Sequence, residues 1–363
     1  MSMPAPCDPQ GLIDALRPGD DVIVPLANGE PVCLIDAMED HVEALHDVRV
    51  HQMHALQDRR YFDGRWSEHL RHVSYFLSHA TRQHFLEVNH TMPRTFGRNL
   101  VHVSQVRGWV EVDRPLVEVE ARPITDLDRR IAGYVADRVK DGDAIQAGIG
   151  SIPDAILSML SDRRHLGLHT ELISDGVLDL VESGTMTGAR KAINPNKMVG
   201  TFALGTRRLY DFLHENAAVE LWPVDYVNDP RVIAGEPAFV SINATTEVDL
   251  LGQCASETVG GRYWSGSGGQ ADFARGAMWA EYGRGSVVLQ SRTRHGESKI
   301  VAQLAAGSVV TTLKNTVDHV VTEYGIAELR GRTIRERAQA LIRIAHPEHR
   351  DGLGKQARSL GYF

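Results

Sequence analysis

Residues 139–160 read VKDGDAIQAGIGSIPDAILSML, and residues 17–38 read RPGDDVIVPLANGEPVCLIDAM. Each segment begins with a Gly-Asp turn, continues into a short apolar strand and a loop of small residues, and ends in the apolar spacing of a helix. A second strand is predicted after each helix, at 47–56 and at 166–174. Strand, helix and strand in this order form a βαβ unit, which requires a parallel sheet. Two such units, about 120 residues apart, predict two related α/β domains in tandem.

The predicted boundary between the domains lies in residues 113–126, DRPLVEVEARPITD, which contain two prolines and precede a new helical pattern. We therefore predict domains at 1–120 and 121–363, and a chain of 363 residues is long enough for two. In the second domain, strands are predicted near 197–204, 218–224, 239–244, 286–291, 308–313 and 318–323, and helices at 153–161, 176–183, 207–214, 270–280 and 333–345.

Composition excludes several classes of protein. The net charge of −8 argues against a protein that coats nucleic acid or an anionic membrane. The N-terminal segment MSMPAPCDPQ lacks the features of a signal peptide, and no apolar run approaches the length of a membrane span. Three scattered cysteines (Cys7, Cys33 and Cys254) predict reduced thiols in a cytoplasmic protein, and no Cys/His/Asp cluster predicts a metal. A GxSxG elbow and a phosphate-binding P-loop are both missing from the sequence.

Two glycine-rich loops each precede a predicted helix. Glycine lets the backbone approach a ligand closely, and N–H groups at the start of a helix can bind an anion or an oxyanion. The first loop is not a dinucleotide fingerprint, because Pro153 stands where that pattern has glycine. A tight turn explains the first loop equally well, and a flexible loop explains the second. The loop residues are Gly148, Ile149, Gly150, Ser151 and Ile152, and then Gly266, Ser267, Gly268 and Gly269.

Two glutamates compete for the role of a nucleophile or base. Glu171 lies towards the carboxyl end of the strand that follows the first loop, and ligands of open parallel sheets bind beyond these ends. The alternative is a carboxylate that caps the helix after Asp175. Glu247 lies on a predicted strand over 241–250, with its carboxylate on one face. The residue pattern alone leaves the choice open.

Several long motifs follow one another along the chain: GIGSIPDAIL (148–157), LGLHTELISDGVLDLVESG (166–184), PVDYVNDP (223–230), SINATTEVDLLGQ (241–253), SGSGGQADFARGA (265–277) and VVTEYGIAELRGRTIRERAQALIRIAHPE (320–348). These motifs, in this order, are similar to those of the acetyl-CoA hydrolase/transferase family, and most similar to its 4-hydroxybutyrate CoA-transferase branch. The resemblance covers nearly all of residues 85–350 and implies two tandem α/β domains of the CoA-transferase type, with mainly parallel sheets.

The resemblance implies a ping-pong mechanism without a metal or a permanently bound cofactor, with coenzyme A and acyl-CoA as substrates. It makes Glu171 the nucleophile, which forms a glutamyl-CoA thioester, and leaves Glu247 structural. Loop 148–152 matches the CoA and oxyanion loop of the family, and loop 266–269 matches an element beside the thioester. By the same resemblance, Asn243 faces CoA, and Asp143 and Gln146 match polar positions near the substrate pocket.

Two departures from the family pattern lie in the first domain. Leu26 stands where many relatives have histidine, and the chain passes directly from SHATR (78–82) to FLEVNHTMPR (85–94), where relatives carry a further segment. A shortened first domain is therefore predicted. The expected activity is transfer of CoA between small carboxylic acids of the 4-hydroxybutyrate, butyrate and acetate class, by a homodimer. The alternatives are an acyl-CoA hydrolase and a weakly active CoA-binding remnant.

Overall fold

The structure is a computed structural model that describes residues 8–25, 27–52, 57–73, 84–148 and 150–363. Leu26, Ile149 and the segment 78–82 lie outside the described residues, so the predictions made on them are not tested. The fold comprises two compact units. The first contains the described residues up to Arg94, together with 99–119 and 213–215, and the second contains 95–98, 120–212 and 216–363.

The strands are β1 (Asp21–Val24), β2 (Val48–Gln52), β3 (Leu70–Val73), β4 (His84–Asn89), β5 (Phe96–Gly97), β6 (Val106–Val112), β7 (Ala144–Ala147), β8 (Gly167–Leu168), β9 (Leu172–Ile173), β10 (Met198–Gly200), β11 (Phe202–Ala203), β12 (Val219–Leu221), β13 (Phe239–Ala244), β14 (Glu247–Asp249), β15 (Cys254–Ala255), β16 (Thr258–Val259), β17 (Arg262–Tyr263), β18 (Arg284–Val288), β19 (Ile300–Val301), β20 (His319–Thr322) and β21 (Gly325–Glu328). The α-helices are α1 (Gln10–Ile13), α2 (Val32–Asp40), α3 (Asp126–Ala136), α4 (Ser151–Ser158), α5 (Leu178–Glu182), α6 (Arg207–Leu213), α7 (Val224–Val227), α8 (Pro230–Ile233), α9 (Gln270–Trp279), α10 (Ile334–Ile344) and α11 (Pro347–Ser359). Within the described ranges, none of these helices combines the length and the apolar character needed to cross a bilayer.

The first unit contains a three-stranded parallel sheet in the order β1-β2-β3 and a parallel pair of β4 with β6. Helix α2 connects β1 to β2, so the predicted βαβ unit is present. Its apolar spacing buries Leu34, Ile35 and Met38 against the strands, where Val48 and Val50 are fully buried. The hydrophobic side of α2 therefore builds the core of this unit.

The second unit is built on a six-stranded sheet in the order β21-β20-β18-β13-β7-β8. All its neighbouring strands are parallel except β20 and β21. Helix α4 connects β7 to β8, which is the second predicted βαβ unit. Both predicted units are therefore confirmed, and the mainly parallel α/β architecture is as expected.

The two βαβ units also share the turn before their first strand. In the first unit, the Asp20 carboxylate accepts a hydrogen bond from the Arg17 N–H at 2.8 Å. In the second unit, the Asp143 carboxylate accepts one from the Lys140 N–H at 2.7 Å. In this way each aspartate side chain satisfies a backbone N–H of its own turn. The Gly-Asp pairs seen in the sequence are thus structural signals for the start of a strand.

The predicted strands differ from the structure in several details. No strand spans 308–313: Thr311 and Thr312 both direct their N–H groups to the carbonyl of Cys254, so a regular ladder cannot continue. The predicted strand 241–250 is interrupted after Ala244, where β13 leaves the six-stranded sheet and β14 begins a different one. In both places the hydrophobic pattern is that of a strand, but the pairing with neighbouring strands in the folded protein does not allow one continuous strand.

Arg337 in α10 is a buried cation that ties three segments together. Its guanidinium donates to the carbonyls of Leu251 and Leu329, each at 2.7 Å, and to that of Lys314. The substitution Arg337→Met keeps the side-chain length but leaves these three carbonyls without their donor. We expect the free energy of unfolding of this unit to fall by about 3 kcal/mol, because each buried group that loses its partner costs about 1 kcal/mol. Denaturant-induced unfolding measures this loss.

Arg343, which is exposed on the same helix, offers the matched control. Arg343→Met is expected to change the free energy of unfolding by no more than about 0.5 kcal/mol. Equal losses for the two variants would show that the carbonyl contacts of Arg337 do not stabilise the fold.

Candidate active site

Glu171 lies where the chain passes from one sheet to another. It follows β8, an edge strand of the six-stranded sheet, and precedes β9, which pairs with β11. The backbone carbonyl of Glu171 accepts hydrogen bonds from the N–H groups of Thr201 and Phe202, at 2.9 and 3.1 Å. The hydroxyl of Thr170 donates to the carbonyl of Ala147 at 3.3 Å, which places this crossing beside the carboxyl end of β7. The backbone of Glu171 is therefore fixed at the edge of the sheet where ligands bind.

Two N–H groups face the Glu171 carboxylate. Its Oε2 atom accepts a hydrogen bond from Asn228 Nδ2 at 3.0 Å, and the backbone N–H of Gly269 lies close enough to lower its pKa. Gly269 precedes α9, so the carboxylate lies at the positive end of that helix. A Cβ atom at position 269 would lie 2.3 Å from Glu171 Oε2, so only glycine allows this approach. The site thus presents one oriented carboxylate with a fixed set of donors.

The pKa of Glu171 is raised above the usual value of a glutamate. Burial is the main cause, because it disfavours the charged form, and the negative charge of Asp272 adds to it. The hydrogen bonds from Asn228 and Gly269 act in the opposite direction. Loss of solvation and a raised pKa make a carboxylate a better nucleophile than it is in water.

The loop 148–152 is only partly available to a ligand. The N–H of Gly148 already donates to the carbonyl of Ile242 at 2.9 Å. Gly150 has a φ of 133°, a conformation that favours glycine, and precedes α4. Ser151 is one of the groups that lower the pKa of Asp128, so its side chain faces that carboxylate, and Ile152 is buried. If the loop binds an anion, the N–H of Gly148 is therefore not one of the donors in this conformation.

Gln146 and Asn243 form a buried amide pair between β7 and β13. Gln146 Nε2 donates to Asn243 Oδ1, and Asn243 Nδ2 donates to Gln146 Oε1, both at 3.0 Å. The Ser241 hydroxyl also donates to Gln146 Oε1 at 2.8 Å. A Cβ atom on Gly148 would lie 3.4 Å from Asn243 Oδ1, so the pair lies directly beneath the first loop. The structure brings the pair and the loop together, and the two amides satisfy each other.

Asp143 lies apart from Gly148 and the amide pair. Asp143 precedes β7, whereas Gly148 follows it, so the two residues lie at opposite ends of this strand. The carboxylate closes the turn to Lys140 and pairs with Arg284 at the start of β18. Its pKa is raised, mainly by burial. These contacts support the fold at this turn, and the role of Asp143 near the substrate pocket stays a prediction.

The loop 266–269 contributes unequally to the site. Gly266, Ser267 and Gly268 are exposed, and only Gly269 contacts Glu171. The competing carboxylate, Glu247, accepts a hydrogen bond from the N–H of Ala305 at 3.1 Å and lies on β14. This contact agrees with a structural role for Glu247.

Comparison with known proteins identifies the family. Residues 205–357 match the model of the acetyl-CoA hydrolase/transferase C-terminal domain. A succinyl-CoA:cyclohexane-1-carboxylate CoA transferase from Geobacter metallireducens is 37% identical over 416 aligned positions, which cover 98% of this chain and 95% of the relative. The chain belongs to the acetyl-CoA hydrolase/transferase family. Since 416 positions exceed the 363 residues of this chain, that member of the family contains residues that have no counterpart here.

Two further members support the predicted branch and fold. The 4-hydroxybutyrate coenzyme A transferase of Clostridium kluyveri is 46% identical over 268 residues, which cover 74% of this chain and 62% of that protein. The crystal structure of a 4-hydroxybutyrate CoA-transferase from Porphyromonas gingivalis superimposes with a TM-score of 0.84 at 33% identity, covering 98% of this chain and 97% of that one. The predicted family and its α/β fold are therefore confirmed. A shortened first domain, as predicted from the sequence, is not tested by these comparisons.

In this member of the acetyl-CoA hydrolase/transferase family, Asn228 is a site residue that was not predicted from the sequence. It belongs to the motif PVDYVNDP, which carried the resemblance, but its distance of 57 positions from Glu171 along the chain hides their contact. It lies between the short helices α7 and α8, and its Oδ1 atom has no hydrogen-bond partner among the described residues. The signal available in the sequence was the motif PVDYVNDP itself, which contains a polar residue at this position.

A second cluster of ligand-type side chains lies away from Glu171, at the start of α11. His346, Glu348 and His349 bring potential metal-ligand atoms within 4.8 Å of one another. Glu348 pairs with Arg292 at 3.3 Å, and the Nε2 atom of His349 is hydrogen-bonded to the carbonyl of Gly296 at 2.9 Å. Two of its three members therefore already have protein partners.

The charge of Asp272 gives the site a testable pH dependence. If Glu171 is the nucleophile, it must be ionised to attack, so activity is expected to fall as the pH drops through its pKa. The raised pKa then places this fall above the usual glutamate value of about 4.3. We expect Asp272→Asn to lower the pKa of Glu171, because a neighbouring negative charge is removed. The acidic limb of kcat/KM then moves to lower pH.

The pH profiles of the wild type and of Asp272→Asn, measured with one acyl-CoA, test this shift. Asp126→Asn is the control, because Asp126 occupies the first turn of α3 and its side chain is almost fully exposed. An acidic limb that stays in place in Asp272→Asn, or moves equally in the control, would contradict the electrostatic assignment.

Proposed function

We propose that the chain is a CoA-transferase that moves CoA between small carboxylic acids of the 4-hydroxybutyrate, butyrate and acetate class. The observation that carries this proposal is the Glu171 carboxylate, partly buried and held by Asn228 and Gly269. The family and the names of the relatives support the reaction type. The donors, the burial and the raised pKa of Glu171 support the mechanism.

The first half-reaction transfers CoA to the enzyme. The ionised Glu171 carboxylate attacks the thioester carbonyl, the C–S bond breaks, and CoA thiolate leaves behind a mixed anhydride of Glu171 and the acyl group. The thiolate then attacks the glutamyl carbonyl of the anhydride. The acyl carboxylate leaves, and a glutamyl-CoA thioester remains on Glu171.

The second half-reaction reverses this order with a new acid. The acceptor carboxylate attacks the glutamyl-CoA thioester and releases CoA thiolate, which gives a second mixed anhydride. The thiolate attacks the acyl carbonyl of this anhydride. The new acyl-CoA forms and the Glu171 carboxylate is restored, so electrons and atoms balance without water.

The donors on Glu171 match the charge that this mechanism develops. When thiolate attacks the glutamyl carbonyl, negative charge accumulates on a side-chain oxygen of Glu171. Asn228 Nδ2 and the Gly269 N–H already contact the carboxylate, so they need little reorganisation to stabilise that oxyanion. One oriented donor of this kind typically contributes about 3–4 kcal/mol to the transition state.

We propose that CoA binds along the two glycine loops. Under this proposal the backbone from Gly150 to Ile152 provides donors for the oxyanion of the thioester, and the exposed positions 266–268 contact CoA. Asn243 and Gln146 support the first loop from below, through the amide pair beneath Gly148. CoA is a substrate in this scheme and not a resident cofactor.

Exchange of CoA between acids tests the proposed function. The purified chain is incubated with butyryl-CoA alone, and then with added acetate, succinate or 4-hydroxybutyrate, while free CoA and each acyl-CoA are quantified. Formation of the acceptor's CoA thioester without net release of CoA supports the transferase. Failure to form it with every acceptor contradicts the proposal.

The same assay separates the second candidate function, an acyl-CoA hydrolase. The family description includes hydrolases, and the same nucleophile would serve if water resolved the anhydride or the thioester. Release of CoA at one rate with and without acceptor would favour the hydrolase. Binding of CoA without any turnover would indicate the weakly active remnant.

We further propose that the enzyme is a cytoplasmic homodimer without nucleic-acid or membrane partners. The free thiol of the buried Cys254 is in keeping with a reducing compartment. Size-exclusion chromatography with light scattering, at several protein concentrations, measures the oligomeric state.

A further inference from the structure

His169 is a fully buried histidine two residues before Glu171. Its ring lies among three aromatic rings, with centroid distances of 6.3 Å to Tyr226, 6.2 Å to Phe239 and 6.4 Å to Phe273. Burial, together with the nearby charge of Lys191, lowers its pKa to about 4. The imidazole is therefore neutral at physiological pH, with one N–H to donate.

That N–H is directed at the segment that carries Asn228. His169 Nε2 lies 2.8 Å from the carbonyl oxygen of Val227, the residue immediately before Asn228. The other ring nitrogen, Nδ1, has no partner among the described residues. Because a carbonyl can only accept, the hydrogen bond places the proton on Nε2 and fixes the tautomer.

The Val227 carbonyl has few other ways to be satisfied. It is the last carbonyl of the four-residue helix α7, and such terminal carbonyls have no partner within their helix. The next helix, α8, begins only two residues after Asn228, and its first free N–H, that of Arg231, is taken by Asp229. The peptide between Val227 and Asn228 is therefore held at both of its polar atoms: its N–H donates to the carbonyl of Val224 at 2.9 Å, and its carbonyl accepts the hydrogen bond of His169.

We propose that His169 is a positioning residue of the transfer reaction: through the Val227 carbonyl it orients the Asn228 amide, which holds and polarises Glu171. The proposal rests on the proposed function of Glu171 as the nucleophile. His169 touches neither the reacting atoms nor CoA in this scheme. It acts by limiting the orientations of Asn228, so its loss affects the rate of the chemical step more than substrate binding.

Three substitutions separate the hydrogen bond from the packing. His169→Phe keeps an aromatic ring among Tyr226, Phe239 and Phe273 but cannot donate. His169→Gln places an amide N–H near the former Nε2 position, whereas His169→Asn places it near the former Nδ1 position, out of reach of Val227. In the Phe and Asn variants we expect kcat to fall about tenfold to a hundredfold, with KM for the acyl-CoA nearly unchanged. The Gln variant is expected to retain kcat within about threefold.

A double-mutant cycle shows whether His169 acts through Asn228. In an Asn228→Ala background the amide is gone, so His169→Phe is expected to change kcat by less than about twofold. A merely structural role of His169 would instead lower kcat by the same factor in both backgrounds. If His169→Phe does not fold, as judged by its thermal unfolding, the same cycle is run with His169→Asn against His169→Gln.

The outcomes distinguish this proposal from the function on which it rests. If wild-type protein forms no CoA adduct on Glu171, the proposed function fails. If the adduct forms, and the Phe and Asn variants keep wild-type kcat or their losses are additive with Asn228→Ala, only the role of His169 is overturned. Losses in both variants, rescue by Gln and non-additivity with Asn228→Ala support it.

Discussion

The substitution Glu171→Gln is expected to lower the rate of CoA transfer by at least about a thousandfold. Glutamine has the same shape and can still accept the hydrogen bond of Asn228 Nδ2, so the fold and the local packing should persist. The amide is not a nucleophile towards a thioester, so neither anhydride nor glutamyl-CoA can form. The measurement is kcat for CoA exchange, with thermal unfolding and calorimetric CoA binding recorded on the same preparation.

Glu247→Gln is the matched control for this experiment. Glu247 was the competing carboxylate in the sequence, and its Oε1 atom caps the N–H of Ala305 at 3.1 Å. Glutamine can still accept that hydrogen bond, so we expect kcat to stay within about threefold of the wild type. A large loss in Glu247→Gln together with an active Glu171→Gln would reverse the assignment of the nucleophile.

The second large effect is expected from Gly269→Ala. Gly269 has a φ of −83° and a ψ of 2°, which alanine adopts without strain, so the backbone itself permits the change. The added Cβ would lie 2.3 Å from Glu171 Oε2 and 2.6 Å from Asn228 Nδ2. One of these atoms must move, and the carboxylate loses its oriented donors. We expect kcat to fall by about a hundredfold, as for a misplacement near 1 Å of a catalytic group.

Gly133→Ala provides the control for adding one methyl group. Gly133 lies within α3, and no atom lies within 4 Å of the position that its Cβ would occupy. Alanine there is expected to stabilise the helix by about 0.5–1 kcal/mol and to leave kcat unchanged. Wild-type kcat in Gly269→Ala would show that the crowding around Glu171 has no part in catalysis.

The fold followed from the sequence where its signals are local. The Gly-Asp turns, the strands β1 and β7 and the helices α2 and α4 were predicted because each is encoded by a short, periodic segment. The prediction failed at 308–313, where the residues have the composition of a strand but no neighbouring strand pairs with them in a ladder. Pairing is a tertiary property, and a propensity for strands does not contain it.

The site was predictable only in part for a related reason. Glu171 and Gly269 were singled out, since a carboxylate near a strand end and a glycine before a helix are visible in the sequence. The contacts of Glu171 and Gly269 with Asn228 could not be predicted, because Asn228 lies far from both residues along the chain. The Gly-Asp turn of Asp143 has the same signature as the turn at Asp20, and the place of Asp143 near the substrate pocket stays a prediction.

Trapping the covalent intermediate tests the central claim, that Glu171 carries CoA. The chain is mixed with butyryl-CoA in the absence of an acceptor acid, quenched in acid and digested, and the peptide that contains Glu171 is analysed by mass spectrometry. We expect this peptide to gain the mass of CoA less one water, and Glu171→Gln to abolish the gain. An adduct on a different residue, or CoA exchange at full rate with Glu171 unmodified throughout, would contradict it.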